Sequence, residues 1–506
     1  MEKTVLAIMA MIVLSKVLGF FRDIFLSFFF GATNVTDAYL IAMTIPTVLF
    51  AFVGMGVAAS YIPIFTKISA HQGEGEAKKF TTNVVNLLFL IATLIIVLIL
   101  IFPVPIVKLF AYGFEGETLK IAVDFTRISS LSIYFVALTA VFNSYLEING
   151  KFLIAAFTGL PLNIIMIAFI YVSSAGNIYW LAYGYVIAVA IQFLFLVPSI
   201  RRTGYRHKMY VKPKEENIKK MMYLALPVMI GVSVDQINVL VDRTIASQIV
   251  GGGISALTYS NRITFFIEAI FVTAIVTVLF PRITKMAVRK DMVQLKWTVG
   301  KMITSIGLLI IPSTIGLMIF SKEITVLLFG RGAFEDDAVL LTAGALFFYS
   351  FGMLGFGMRE VLAKVFYSLE DSKTPMISAV AAMVINVILN IVLARIMGIS
   401  GLALATSIAA IVSTVYLYVA LVKKIGSIGS KLILLDLGKA LVAAGVMGVG
   451  AKQLYFLLGE SYWSLASSVS AGVVIYAVVL IALKVSDASY YKDRLMALGR
   501  KSVQNE

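Results

Sequence analysis

"LSKVLGFFRDIFLSFFFG", residues 14–31, is an apolar helical stretch with three ionisable side chains inside it, Lys16, Arg22 and Asp23. Each ionised group in a bilayer core costs roughly 2.5–3.5 kcal/mol on insertion scales. A helix that keeps three of them has to turn that face towards protein or a water-filled cavity. The rest of the chain decides that a bilayer is the setting. Of its 506 residues, 60% are hydrophobic and 14% charged, against about 25% charged in ordinary soluble domains. The mean hydropathy is +0.97. No soluble fold hides so much apolar surface, so the chain reads as an all-α polytopic membrane protein. Tyr and Trp near the span ends suit interfacial anchoring.

The formal charge of +15 would suggest nucleic acid in a soluble protein. Here most basic residues fall in loops, so the charge reads as topology and no nucleic-acid partner is expected. The chain has no cysteine, which excludes disulfides, thiolate nucleophiles and cysteine metal sites. Both histidines, His71 and His207, lie in polar loops. No nucleophile–base pair appears, and an enzyme is not expected. The N-terminal apolar stretch is too long for a signal peptide and is interrupted by charge. It reads as a retained first helix.

Windows of about 20 apolar residues give fourteen spans, near 4–29, 38–62, 82–110, 121–146, 152–173, 178–200, 221–248, 255–280, 298–320, 338–366, 375–396, 400–422, 433–456 and 463–484. The loops alternate. "TKISAHQGEGEAKKF", "RRTGYRHKMYVKPKEENIKK", "PRITKMAVRKDMVQLK", "VKKIGSIGSK" and the C-terminal tail are basic. "GATNVTD", "GFEGETLK", "SSAGN", "VGGGIS" and "GRGAFEDD" are neutral or acidic. Positive loops stay cytoplasmic, so both termini are expected there.

The chain also repeats weakly, at an offset of roughly 220 residues. Arg22–Asp23 is mirrored by Asp242–Arg243, Tyr39 by Tyr259, and "IPIFTK" by "FPRITK". "KLFAYGF" matches "LLFGRGAF", "YLEINGK" matches "YSLEDSK", and Asn163 falls opposite Asn386. Several matches in one order indicate duplication. Each copy holds six spans, an even number, which gives two lobes related by an axis along the membrane normal. The expected division is an N-lobe at 1–200, a cytoplasmic linker at 201–220, a C-lobe at 221–424, and two extra spans with the tail at 425–506.

On the first helix, Ser15, Gly19 and Arg22 are spaced i, i+4, i+7, and Lys16, Gly19 and Asp23 are spaced i, i+3, i+7. They occupy adjacent strips of one face. The second copy offers Ser255, Tyr259 and Arg262 at the same spacing, with Asn261 beside them. If the copies face each other, Lys16, Arg22 and Arg262 converge, only partly offset by Asp23 and Asp37. Such a cleft selects an anion. Phosphate suits the arginine fork, and chloride is the simple anion expected in its place. The plain structural alternative is a buried Arg22–Asp23 pair or a snorkelling Lys16.

A second polar set lies further on. Asp235, Asn238 and Asp242 are spaced i, i+3, i+7, Asn386 and Asn390 are spaced i, i+4, and Thr406 opens the next span. Oxygen ligands of this kind suit a hard cation such as Na⁺. Interhelical polar glue explains them equally. Arg359, Glu360 and Lys364 sit late in the tenth span, where Arg359 and Glu360 are placed to neutralise each other.

Several strings resemble a known family. "SKVLGFFRDIFLSFFFGATNVTDAYLIAMTIP", "SALTYSNRI", "LLFGRGAF" and "FYSLEDSKTP" are similar to segments of the MurJ (MviN) lipid II flippases, and the likeness runs along essentially the whole chain. It implies the multidrug/oligosaccharidyl-lipid/polysaccharide exporter fold, with two six-helix lobes around a cavity and two C-terminal helices forming a groove for a lipid tail. It implies cavity positions for Lys16, Arg22, Asp37 and Arg262, with Ser15, Asp23, Ser255 and Asn261 beside them. It implies a Na⁺ site of Asp242, Asn386, Asn390, the Leu402 carbonyl and Thr406. It also implies a monomer in the bacterial cytoplasmic (inner) membrane that moves lipid II or a related undecaprenyl-pyrophosphate lipid. One departure stands out: where the family often carries a second-span arginine and glutamate, this chain has Ala51 and Met55. A cation-coupled exporter of small organic cations would need an acidic cavity. A non-transporting scaffold would tolerate neutral residues at 22 and 262.

Overall fold

A computed structural model describes residues 2–485, without the side chains of residues 2–6 and of some positions within 52–59, 227–235 and 273–278. Asp235 and Met55 are among those side chains, and the basic C-terminal tail lies outside the described residues. The described secondary structure is helical throughout, in eighteen helices. The first nine are α1 (Glu2–Phe30), α2 (Asn34–Gln72), α3 (Glu74–Ile101), α4 (Pro103–Phe110), α5 (Gly116–Ser130), α6 (Ser132–Ile148), α7 (Phe152–Phe157), α8 (Gly159–Ser174) and α9 (Tyr179–Arg202). Then come α10 (Glu216–Ile249), α11 (Gly253–Val288), α12 (Met292–Ile319), α13 (Ser321–Leu328), α14 (Asp336–Ser368), α15 (Lys373–Met397), α16 (Ile399–Ile425), α17 (Ser430–Leu457) and α18 (Tyr462–Ala482).

Local chemistry sets the breaks. Gly31, at φ +64, ends α1 and returns its N–H to the Ser27 carbonyl at 2.8 Å, a left-handed cap that glycine makes without strain. Thr33 caps α2, accepting the Thr36 N–H on its hydroxyl. The single span expected over 82–110 is broken at Phe102, because Pro103 disfavours helix at the residue before it and then opens α4 as its first residue. The same design recurs downstream. α3 and α12 are each 28 residues long and start 218 residues apart, and the 8-residue α4 and α13 keep that spacing.

Among the described residues, ten helices are long and apolar enough to cross a membrane, or eleven if α5 and α6, bent by 42°, form one span. The other long helices, α1, α10 and α11, carry charged residues along their length, Arg22, Asp242 and Arg262 among them. Packing follows membrane rules, with small and polar residues inside and large apolar ones outside. On α15 the buried positions are Pro375, Ser378, Ala382, Asn386 and Asn390, while Val384, Ile388 and Ile391 are exposed.

The chain forms two compact units. The first holds Met1–Ala256 with Phe329–Ala338, and the second Leu257–Leu328 with Val339–Glu506. In the first, α2 is the hub for α3, α5, α6 and α10, while α1 lies on α7 and α8. α10, which the repeat assigns to the C-lobe, therefore packs in the first unit, where Arg243 Nη1 donates to the Leu40 carbonyl at 3.0 Å. In the second unit α15 pairs with α16, and α17 packs on α12 and α18.

Asp371, in the turn between α14 and α15, ties these helices to the end of α16. Its carboxylate accepts from Lys424 Nζ and from the Thr374 N–H and hydroxyl. Those bonds, Lys424 first, hold its carboxyl at about 2, below the ordinary 3.8. A lowered carboxyl stabilises the fold above pH 3.8 and loses that contribution as pH falls through about 2. With Lys424 41% exposed, solvent screening keeps the pair to about 1 kcal/mol or less. Lys424→Ala is expected to lower the melting temperature slightly at neutral pH, with the difference shrinking as pH falls from 3.8 through about 2, which a melting series over pH checks.

Candidate functional site

The charged face of α1 is built against α8. Arg22 donates from Nε and Nη2 to Asp23 Oδ1 at 3.0 and 2.7 Å. Its Nη1 reaches Asn163 Oδ1 at 3.2 Å and Met166 Sδ at 3.6 Å. Asn163 is itself fixed, donating from Nδ2 to the carbonyls of Gly159 at 2.8 Å and Ser15 at 3.3 Å. Gly19 faces the Asn163 amide, which a Cβ there would meet at ordinary van der Waals distance. The side chains of Arg22 and Asp23 are 12% and 6% exposed. The plain structural alternative is thus realised, a paired arginine and aspartate in a membrane helix, but the pair leaves donor capacity on Nη2. Lys16 is exposed and makes no ion pair among the described residues, so it supplies the uncompensated charge of this face.

Asp37 and Ser255, expected to line a cavity, are instead locked together. Asp37 is 1% and Ser255 0% exposed. Asp37 Oδ2 accepts the N–H groups of Gly252 at 2.9 Å and Ile254 at 3.4 Å. Its Oδ1 accepts the N–H and hydroxyl of Ser255 at 2.7 and 2.6 Å. A carboxylate in the first turn of α2 therefore caps α11, meeting the amides that a helix start leaves unpaired and the positive end of its dipole. Glycines make the approach possible. Gly252 and Gly332 have φ of +82 and +66, and a Cβ on either would collide with the carbonyl of Ala32 or Phe28. The Ala333 N–H donates to the Phe28 carbonyl at 2.9 Å, so three neutral loops knit into one end of the first unit.

Asn261 and Arg262 lie in the second unit. Arg262 is exposed and Asn261 half-buried, and the Asn261 carbonyl accepts the Thr264 hydroxyl at 2.8 Å. In the same unit the structure brings together four of the five residues expected to hold a cation. Asn390 Nδ2 donates to Asn386 Oδ1 at 3.0 Å, Asn386 Nδ2 to Thr406 Oγ1 at 3.1 Å, and Thr406 Oγ1 to the Leu402 carbonyl at 3.0 Å. Asp242 belongs to the first unit and is half-buried. The donor set is all oxygen, which fits Na⁺ by chemistry. The same atoms also form a hydrogen-bonded chain between α15 and α16, which is the polar-glue arrangement. No three His, Cys, Asp or Glu residues cluster as metal ligands among the described residues.

Next to the two C-terminal helices runs an apolar cavity of about 480 Å³. Leu308, Pro312 and Gly316 of α12, Met447 of α17, and Val473 and Tyr476 of α18 line it. Gly448 and Gly472 let the three helices close around it, and the Tyr476 hydroxyl donates to the Leu308 carbonyl at 2.8 Å, fixing α18 to α12. Its walls suit an alkyl or isoprenoid chain.

Sequence reasoning had not assigned a site role to Asn163 or to Glu268. Asn163 was visible only as a repeat partner of Asn386, and its grip on Arg22 is a tertiary contact. Glu268, 5% exposed on α11, was legible as a carboxyl within an apolar run. Glu360 pairs with Lys364 one turn on, at 3.3 Å, where the sequence reading had set it against Arg359.

A paired arginine and aspartate inside a long apolar helix, an exposed lysine on α1 and an exposed arginine on α11, and a hydrocarbon groove together define a class, the polytopic helical membrane transporter. The sequence model of the family described as lipid II flippase MurJ matches residues 26–481. A probable lipid II flippase MurJ of Vibrio cholerae serotype O1 is 30% identical over 434 residues, covering 82% of each chain. A solved structure described as lipid II flippase MurJ in an inward closed conformation superposes with a TM-score of 0.82 at 26% identity, over 96% of this chain and 99% of that one. An inward-facing MATE-family multidrug transporter shares the fold alone, with a TM-score of 0.67 at 15% identity over 82% and 96% of the two chains. The chain belongs to the lipid II flippase MurJ family.

Proposed function

We propose that this chain moves lipid II, an undecaprenyl-pyrophosphate lipid, from the cytoplasmic to the outer leaflet of a bacterial inner membrane. The observation that carries the reading is Arg22, a guanidinium kept inside a membrane helix and aimed by Asp23 and Asn163. A pyrophosphate uses such a fork, whereas a sugar or an amine does not. Lys16 and Arg262 add charge from their own helices, and in the absence of substrate an anion such as chloride would sit beside Lys16. The isoprenoid tail runs along the groove of α12, α17 and α18. In this reading α1, α10 and α11 also cross the bilayer, giving fourteen spans with both termini in the cytoplasm, and the protein works as a monomer. The lobes at 1–200 and 221–424 rock to alternate access, and the cap of α11 by Asp37 is the contact to be broken at the outer face. Ala51, where the family often has arginine, favours a second reading, a related undecaprenyl-linked polysaccharide precursor. Binding tests the clamp and then the headgroup: lipid II should bind purified protein at least about 30-fold more tightly than undecaprenyl monophosphate, and more tightly than an undecaprenyl-pyrophosphate polysaccharide precursor, whose tighter binding would favour the second reading. Equal affinity for lipid II and the monophosphate would remove the pyrophosphate clamp.

Sodium coupling belongs to the same proposal. A single carboxylate, Asp242, with the oxygens of Asn386, Asn390, Thr406 and Leu402, would leave a bound Na⁺ near neutral overall, the least costly state in a low-dielectric interior. Replacing KCl by NaCl at equal ionic strength is expected to raise the melting temperature in detergent, and Asp242→Asn to remove the increment. Identical wild-type curves would return these residues to interhelical glue.

A further inference from the structure

A cavity of about 900 Å³ in the first unit belongs to none of these sites. Its walls are hydrocarbon: Val85, Phe89 and Leu90 from α3, Phe142 from α6, and Phe193 and Val197 from α9. Phe89 and Leu90 are also about half exposed, at 47% and 53%, so the cavity opens onto the apolar perimeter of the unit. Its remaining wall is the segment 204–211 that leaves α9.

That segment is strapped to α3 by bonds that use none of its basic side chains. Asn86 Nδ2 donates to the carbonyls of Lys208 and Tyr210, both at 3.0 Å. Asn83 exchanges two bonds with the Lys212 backbone, at 3.0 and 2.8 Å, and the hydroxyls of Tyr205 and Thr82 meet at 3.1 Å. The strap holds Arg206 and His207 at the cavity mouth beside Arg201, the last turn of α9, and all three are exposed. From Arg201 to Lys214 the chain carries Arg202, Lys208 and Lys212 as well, and no acidic residue. Met209, which also lines the mouth, is 90% exposed, an apolar side chain suited to hydrocarbon. One cationic end and one deep apolar body match an anionic headgroup with acyl chains. A peptide would leave the body unfilled, and a free phosphate would leave it empty.

We propose that this cavity is a binding site for an anionic phospholipid, its phosphate between Arg201 and Arg206 and an acyl chain against α3, α6 and α9. The site lies on the linker between the two repeats, so an occupant would hold that linker on the first unit. The proposal stands whether or not the transported lipid is the one named above.

The test uses the full chain in mild detergent, titrated with dioctanoyl phosphatidylglycerol or dioctanoyl phosphatidylcholine. Phosphatidylglycerol is expected to bind at least about ten-fold more tightly, and R201Q/R206Q to weaken it by roughly twenty-fold. Both arginines are exposed, so the variant should melt as the wild type does. R289Q/K290Q, in the basic loop between α11 and α12, removes equal charge elsewhere and should bind normally. Leu138→Trp, which fills the cavity from α6, should weaken binding with every charge retained. Equal binding of the two lipids, full binding by R201Q/R206Q, or an equal loss in R289Q/K290Q would overturn the site. Competitive displacement by undecaprenyl pyrophosphate that depends on Arg201 and Arg206 would assign the cavity to the transported lipid and overturn it too.

Discussion

Arg22→Gln/Asp23→Asn is expected to fold and to transport nothing measurable. The double change keeps two polar side chains in contact on α1 while removing both charges, so no ion is left buried. The single variant Arg22→Ala is harsher. It strips Asp23 of two hydrogen bonds in a site where that carboxylate is 6% exposed, and breaking a buried pair from one side costs about 3–5 kcal/mol. Its loss of activity would mix unfolding with lost substrate contact, which the double variant avoids. Losing one desolvated charge contact to a pyrophosphate costs about 2–5 kcal/mol, at least roughly 30-fold in transport. Arg262→Ala should cause a similar loss of transport at equal protein level. Lys16→Arg keeps the charge and should remain active. A well-folded, fully active Arg22→Gln/Asp23→Asn protein would end the phosphate-clamp account. Transport and melting temperature on the same preparations decide it.

Asp37→Ala is expected to produce the largest stability loss of any single change at the loops joining α1 to α2 and α10 to α11. The carboxylate receives four hydrogen bonds, three of them from the Gly252, Ile254 and Ser255 amides at the start of α11. Alanine leaves those amides buried without a side-chain acceptor, at about 1–3 kcal/mol for each group left unsatisfied. A net loss of about 3–5 kcal/mol follows after local relaxation. Asp37→Asn retains one oxygen and should fall between, and Ser255→Ala, which removes one donor but no backbone acceptor, should cost about 1 kcal/mol. Thermal unfolding in detergent orders the three. An Asp37→Ala protein that melts with the wild type would mean that the cap carries no stability.

The helices were legible in the sequence because a bilayer writes them in long apolar runs, and because the duplication spaced α3 and α12, and α4 and α13, alike. The break at Phe102 was written there too, in Pro103, but the hydropathy window ran across it. The charges on α1 were legible as anomalies. Their partner was not, since Asn163 lies 141 residues from Arg22 and nothing local marks it. Asp37 was legible as an acid near a span, but its partners were not. Its real partners are backbone amides in a glycine-rich loop, and backbone groups have no signature in sequence. The place of α10 in the first unit was hidden for a related reason. Repeat arithmetic assigns helices to copies, while packing assigns them to units, and α10 packs along α2.

The central claim is that this chain carries lipid II across the membrane. The most direct measurement is expression in a bacterial strain depleted of its own lipid II flippase, with chemical labelling of lipid II on the outer leaflet. The account predicts restored growth together with restored surface lipid II, both lost in Arg22→Gln/Asp23→Asn at equal protein level. A well-expressed, folded wild-type protein that restores neither, or growth regained without lipid II at the surface, would contradict it.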